Sequence, residues 1–202
     1  MELSAQVKIL GMRQPNGNSE EALVINCCSN SPTSWERTLS PFLLGPCNLY
    51  QGFTSQNVEN GWQFSKVYKQ HLEDDYAIKE DYFEWACAGW EDPVARRYPM
   101  GRGAKPEFSL WDGERLGYID ARKKIYGPLY AKAVLAGEGW PKLKALYTES
   151  KLIVLRDFDG YDHDAMGMTL KDVLNTPTRK MGHAFVLKML LTADEALKEL
   201  IF

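Results

Sequence analysis

The sequence predicts an α+β domain, mostly helical with a few short strands. Three observations carry that expectation. The chain has 202 residues, 45% of them apolar and 25% charged, which suits one folded domain of ordinary core size. Short alternating or β-branched runs occur near the N-terminus and again near residue 152. Helical periodicity and capping signals dominate the stretch between and after them.

The elements follow in order. Residues 5–10, Ala-Gln-Val-Lys-Ile-Leu, alternate like an exposed strand. Turn formers at 13–20 would close a hairpin onto a buried strand at 22–26, and 28–34 reads as loop. Ser55 to Leu72 is expected to form one helix, capped by Ser55 or Asn57, and Asp75 to Ala88 another. Residues 101–106 form a glycine-rich loop. Asp112 to Tyr126 reads as helix, kinked or stopped by Gly127-Pro128. Pro141 to Tyr147 suits a helix with proline in its first turn. Leu152 to Leu155 is a strand, and Thr178 to Leu191 and Ala193 to Leu200 are closing helices. The whole is expected to be one domain, 1–202, with its core at about 38–191 and an N-terminal β extension over 1–35.

Bulk properties exclude several function classes. The net charge of −3 argues against non-specific nucleic-acid binding. Cys27, Cys28, Cys47 and Cys87 contain no CxxC pair and suit neither a zinc finger nor a disulfide scaffold. Met1-Glu2-Leu3-Ser4 lacks a signal-peptide pattern, and no apolar run is long enough to span a membrane. A cytoplasmic protein with free thiols is expected.

Three constellations could carry chemistry. Glu59, Gln63, Lys66 and Gln70 fall on one narrow stripe of the predicted helix, flanked by Trp62 and Val67. Such a stripe is either a solvated face or the polar lining of a cleft. Arg96, Arg97, Arg102 and Lys105 gather around Gly101 and Gly103, either as a basic surface loop or as an anion site; Trp111 follows closely. Residues 156–164 hold Asp157, Asp159, Asp162, Asp164 and His163. The DxDG at Asp157 hints at calcium, but the rest of an EF-hand loop is missing, and His163 alone suits a surface position.

In order, these segments resemble the NADAR (NAD- and ADP-ribose-associated, YbiA-like) family. Residues 39–46, with Phe42, resemble its Phe-Ser-Asn-Phe loop, and Val58 to Val67 its Ser-Glu-His-x-x-Gln-x-x-Lys-Phe helix. Asp92 to Arg102, Lys105-Pro106 and Trp111 resemble its Pro-x-x-Ala-Arg…Gly-Arg…Trp stretch. Leu143 to Leu155 and Asp159 resemble the strand and acid that follow, and Met181-Gly182-His183 its final Leu-Gly helix. The resemblance implies an N-glycosidase that hydrolyses the glycosidic bond of a ribosylated or ADP-ribosylated nucleotide, ADP-ribosyl groups on nucleic acid included. It implies Glu59 as the catalytic carboxylate, Lys66 as a residue that holds or tunes Glu59 or meets a phosphate, Trp111 as the base-stacking residue and Asp159 as the positioner of ribose hydroxyls or a second water. Arg96, Arg102 and Lys105 would face phosphate, and Phe42, Gln63 and Gly182 would touch substrate. No metal and no cofactor are called for. The alternative is a module that binds such a nucleotide without cleaving it. It rests on Pro41 where the family has asparagine, and on Met166-Gly167 where the family has Trp-Gly.

Overall fold

The computed structural model describes residues 5–16 and 21–202. Two strands, β1 (Gln6–Gly11) and β2 (Ala22–Asn26), precede a turn of helix, α1 (Ser34–Arg37). Next come the pair β3 (Cys47–Asn48) and β4 (Thr54–Ser55), helix α2 (Val58–Gln63), strand β5 (Lys66–Val67) and helix α3 (Glu80–Glu91). A hairpin of β6 (Phe108–Trp111) and β7 (Glu114–Leu116) leads into α4 (Tyr118–Ala121) and α5 (Gly127–Ala136). Helix α6 (Gly139–Glu149), strand β8 (Leu152–Asp157), helix α7 (Leu170–Asn175) and helix α8 (His183–Thr192) complete the set, before a 3₁₀ turn at Glu195–Glu199. The α+β class is as expected.

The central sheet has the order β1-β8-β2, with both outer strands parallel to β8. Ile153, Val154 and Leu155 are wholly buried, as a β-branched run in a parallel sheet should be. The expected hairpin is therefore overturned, because β8 lies between β1 and β2. Residues 17–20 of that expected turn, like residues 1–4, lie outside the described residues. The N-terminal strands are also no appendage: Val7, Ile9 and Ile25 belong to the main core, and α8 packs against β1, β8 and α5.

The predicted helix over 55–72 is cut short. Helix α2 ends at Gln63, and the chain turns into β5, which pairs with β6. Tertiary packing overrides periodicity here. Phe64, Val67 and Leu72 are needed in a second, smaller core with Tyr82, Ala86 and Trp90 of α3. Phe64 lies directly against Gly89, where an added Cβ would come within 2.0 Å of its ring. Asp112 to Tyr126 is likewise not one helix. Asp112-Gly113 forms the two-residue turn of the β6–β7 hairpin, with φ of 48° and 79°, an Asp-Gly pairing that suits such turns. The helix that starts at Tyr118 does not stop at Gly127-Pro128. It widens into a π turn over Arg122–Tyr126 and runs on into α5, where Pro128 sits in the first turn and needs no donor. Among the described residues no helix is long and apolar enough to cross a membrane, and all four cysteines are free.

Candidate functional site

The C-terminal ends of β2 and β8 open onto a cavity of about 690 Å³, the end of a parallel sheet where ligands characteristically bind. Helix α2 forms one wall. The Asn57 side chain accepts the Asn60 N–H at 2.8 Å and caps the helix. The first two helical N–H groups donate to carbonyls of the preceding loop, Val58 to Leu44 and Glu59 to Pro41. That clasp holds Ser40, Pro41 and Phe42 against the cavity.

Glu59 is buried and faces this space. Gln63 Nε2 donates to Glu59 Oε1 at 2.9 Å, and Lys66 Nζ donates to Gln63 Oε1 at 2.6 Å. The ammonium fixes which end of the amide is oxygen, so Gln63 relays the charge of Lys66 to the carboxylate. Lys66 Nζ also sits 4.5 Å from the Trp62 ring centre. Burial raises the Glu59 carboxyl, opposed by Gln63, Lys66, Arg97 and His183. Burial lowers the Lys66 ammonium to about 8, against the pull of Glu59 and with a further push from Lys180. The i, i+4 spacing of Glu59 and Gln63 is helical as expected, while Lys66 reaches them from β5. Gln70 leaves the stripe: it is exposed, and its carbonyl accepts from Lys79.

Asn60 points the other way and anchors the basic loop. Its amide donates to Asp92 O and Val94 O and accepts the Arg96 N–H. This anchor directs Arg96 out, where its side chain pairs with Asp92 at 2.7 Å, and directs Arg97 in, where it meets Asp159 at 2.8 Å. Arg96 is thus corrected as a phosphate ligand; Arg97 holds the place assigned to it. Lys105 lines the cavity, whereas Arg102 stands beside it, 5.8 Å from the Tyr98 ring. Trp111 is corrected as well. It is buried in the main core, edge-on to Tyr50 at 4.8 Å, and contributes nothing to the cavity wall. Phe158, Tyr98 and Tyr118 are the exposed aromatics that line it.

The floor belongs to β8 and α8. Asp157 Oδ2 accepts the Ala184 N–H at 3.1 Å and faces His183 Nδ1 at 3.2 Å, so an acid at a strand end caps the helix. His183 Nε2 lies 2.8 Å from the Cys27 carbonyl. Gly182 does line the cavity, but its absent side chain matters more: a Cβ would fall 2.0 Å from Asp157 Oδ2. His163 is not the surface residue expected. It is buried, bonded to the Met168 carbonyl and to Lys188.

Five cations line the cavity (Lys66, Arg97, Lys105, Arg122 and Lys180) against three carboxylates, Glu59, Asp157 and Asp159. Arg122 is fully engaged by main-chain carbonyls of α7 and the segment after it. Lys105 and Lys180 form no ion pair among the described residues, so the cavity attracts anions although the chain is acidic overall. Arg97, Asp157 and His183 lie within segments that the sequence singled out but were given no role at this site, and Lys180 was not named; only the tertiary structure chooses between neighbours.

The sequence profile of a family of unknown function, DUF6939, matches residues 10–168, most of the chain, and the chain belongs to that family. The match spans Glu59 through Asp159 and ends before the segment that supplies Gly182 and His183. Neither the curated proteins nor the solved structures contain a match.

Proposed function

We propose that this member of DUF6939 is an N-glycosidase acting on a ribosylated or ADP-ribosylated nucleotide, with Glu59 as the catalytic carboxylate. One observation carries the reading: a buried carboxylate, held through Gln63 to Lys66, faces a cavity edged by aromatic rings and by lysines that form no ion pair among the described residues. The ordered resemblance to the NADAR family supports the same reaction. Breaking a C1′–N bond leaves the electron pair on nitrogen and positive charge on the ribose. A fixed carboxylate stabilises that charge and orients a water whose oxygen attacks C1′. The water's proton passes to Glu59 and onward to the departing nitrogen. Lys66 keeps Glu59 oriented through Gln63 and opposes the effect of burial on its charge. Arg97, Lys105 and Lys180 suit phosphate oxygens, and Asp159, tied to Arg97, suits ribose hydroxyls. Phe158 and Tyr98 take over the stacking role first assigned to Trp111.

The test is a mass-spectrometric screen of ribosylated nucleotides and ADP-ribosylated DNA for base or ribose release. Turnover that persists at full rate in Glu59→Gln would refute the assignment. The displacement of Trp111 from the cavity favours one second reading, a module that binds ADP-ribose without cleaving it. Stabilisation by ADP-ribose in a thermal melt, with no product after long incubation, would select that reading.

A further inference from the structure

Cys28, Asp157 and His183 meet where β2, β8 and α8 converge. The cysteine sulfur, a carboxylate oxygen and a ring nitrogen all lie within 4.8 Å of one another. All three residues are buried, at 3%, 3% and 5% exposure, yet all three line the cavity. Their polar atoms are also prearranged. The Cys27 carbonyl can only accept, so His183 Nε2 is the nitrogen that carries hydrogen, and Nδ1 is left aimed at Asp157. In a neutral ring that nitrogen offers a lone pair to a carboxylate that offers its own. The contact needs either a second ring proton or a metal cation between the two atoms. A ring N–H given to a backbone carbonyl is the usual outer support of a metal-bound histidine.

Asp157 is supported in the same way. Its carboxylate is steadied by the backbone N–H groups of Ala184 and Asp159. Cys28 Sγ lies 4.0 Å from the Arg156 carbonyl, to which the thiol donates; burial and then Asp157 push that thiol up to about 12, a cost that a bound cation would remove. A thiolate, a carboxylate and a neutral imidazole sum to −2, the charge that a divalent ion balances.

We propose that Cys28, Asp157 and His183 form a binding site for a divalent transition metal of the zinc class, with its remaining coordination position open to the cavity. Sulfur and nitrogen donors select such an ion over magnesium or calcium. Three protein ligands with one open position is the arrangement of reactive rather than structural zinc sites. Closing the triad on the ion requires the ligand atoms to draw in by about 1 Å, given Zn–S of ~2.3 Å and Zn–N of ~2.0 Å. The site stands independently of the N-glycosidase reading, since it uses none of Glu59, Gln63 or Lys66.

The experiment is a titration of untagged, EDTA-treated full-length protein with Co²⁺, followed by absorbance. One equivalent should bind with a thiolate-to-cobalt charge-transfer band and intense tetrahedral ligand-field bands, and Zn²⁺ should displace it. Cys28→Ser should abolish the charge-transfer band and weaken binding by roughly 100-fold, while Cys87→Ser should change neither. If Cys28→Ser does not fold, the same titration of His183→Gln should show the loss of affinity. Absence of saturable Co²⁺ or Zn²⁺ binding by the folded wild-type protein overturns the proposal, as does a charge-transfer band that survives Cys28→Ser.

Discussion

Replacing Arg122 by methionine should cost stability far out of proportion to the change in size. Arg122 is 2% exposed and forms no ion pair among the described residues. Its guanidinium instead donates to Val173 O at 2.8 Å, Leu174 O at 3.0 Å, Thr176 O at 3.1 Å and Arg179 O at 2.8 Å. These carbonyls close the C-terminal end of α7 and the strand of chain beyond it, where the helix dipole favours a cation. Hydrogen bonds to a charged group are worth ~1.5–3 kcal/mol each in isolation. The four share one guanidinium whose own desolvation opposes them, so they do not add. Removing the guanidinium leaves these buried carbonyls without their donor, at ~1–3 kcal/mol for each that water does not reach, so a loss of ~3–5 kcal/mol in all is expected. For a chain of this length the melting temperature should fall by roughly 6–20 °C, at ~2–4 °C per kcal/mol. Urea melts followed by circular dichroism give the free energy directly, and Arg122→Lys, with three donors, should fall between the two. A methionine variant that melts within ~2 °C of wild type would refute the reasoning.

Three further outcomes follow from the same geometry. Glu59→Gln should lower base release by ~100-fold or more while leaving the melt unchanged or improved, because it removes a buried charge. Lys66 is held at about 8 by burial, so between there and its ordinary 10.5 the unfolded chain binds the extra proton. Stability from this group therefore rises with pH across that window, and urea melts of Lys66→Met should lack the rise. Gly89→Ala would drive a methyl to 2.0 Å from the Phe64 ring and should cost ~1–3 kcal/mol by overpacking, measured by the same melts.

How much of this was legible in the sequence depended on the range of the interactions. Helix α6, strand β8 and the Glu59–Gln63 pair rest on spacing within a few residues, and they were readable. Helix α3 was readable in kind, displaced by a few positions. The break after Gln63 was not, because it is set by Gly89 and Trp90 some 25 residues on. The Asp112-Gly113 turn was written locally, but helical periodicity was allowed to outweigh it. Arg96 and Arg97 are indistinguishable as letters; a hydrogen bond from the Arg96 backbone to Asn60, 36 residues away, decides which faces the cavity. Trp111 and His163 were misplaced because burial is a property of the assembled core, which single residue types do not announce.

The strand order β1-β8-β2 bears on how the chain comes to be folded as it is made. Both N-terminal strands finish by Asn26, yet the strand that joins them ends only at Asp157. At a synthesis rate of ~5–20 residues per second, the 131 residues between those points (157 − 26) keep two unpaired strands waiting for roughly 7–26 s. Their hydrogen-bonding edges are exposed to other chains for that whole interval. Pairing across such a separation is intrinsically slow even after release. The cavity floor therefore closes last: a nascent chain that already carries Glu59 and the basic loop has no site until Asp157 and His183 emerge.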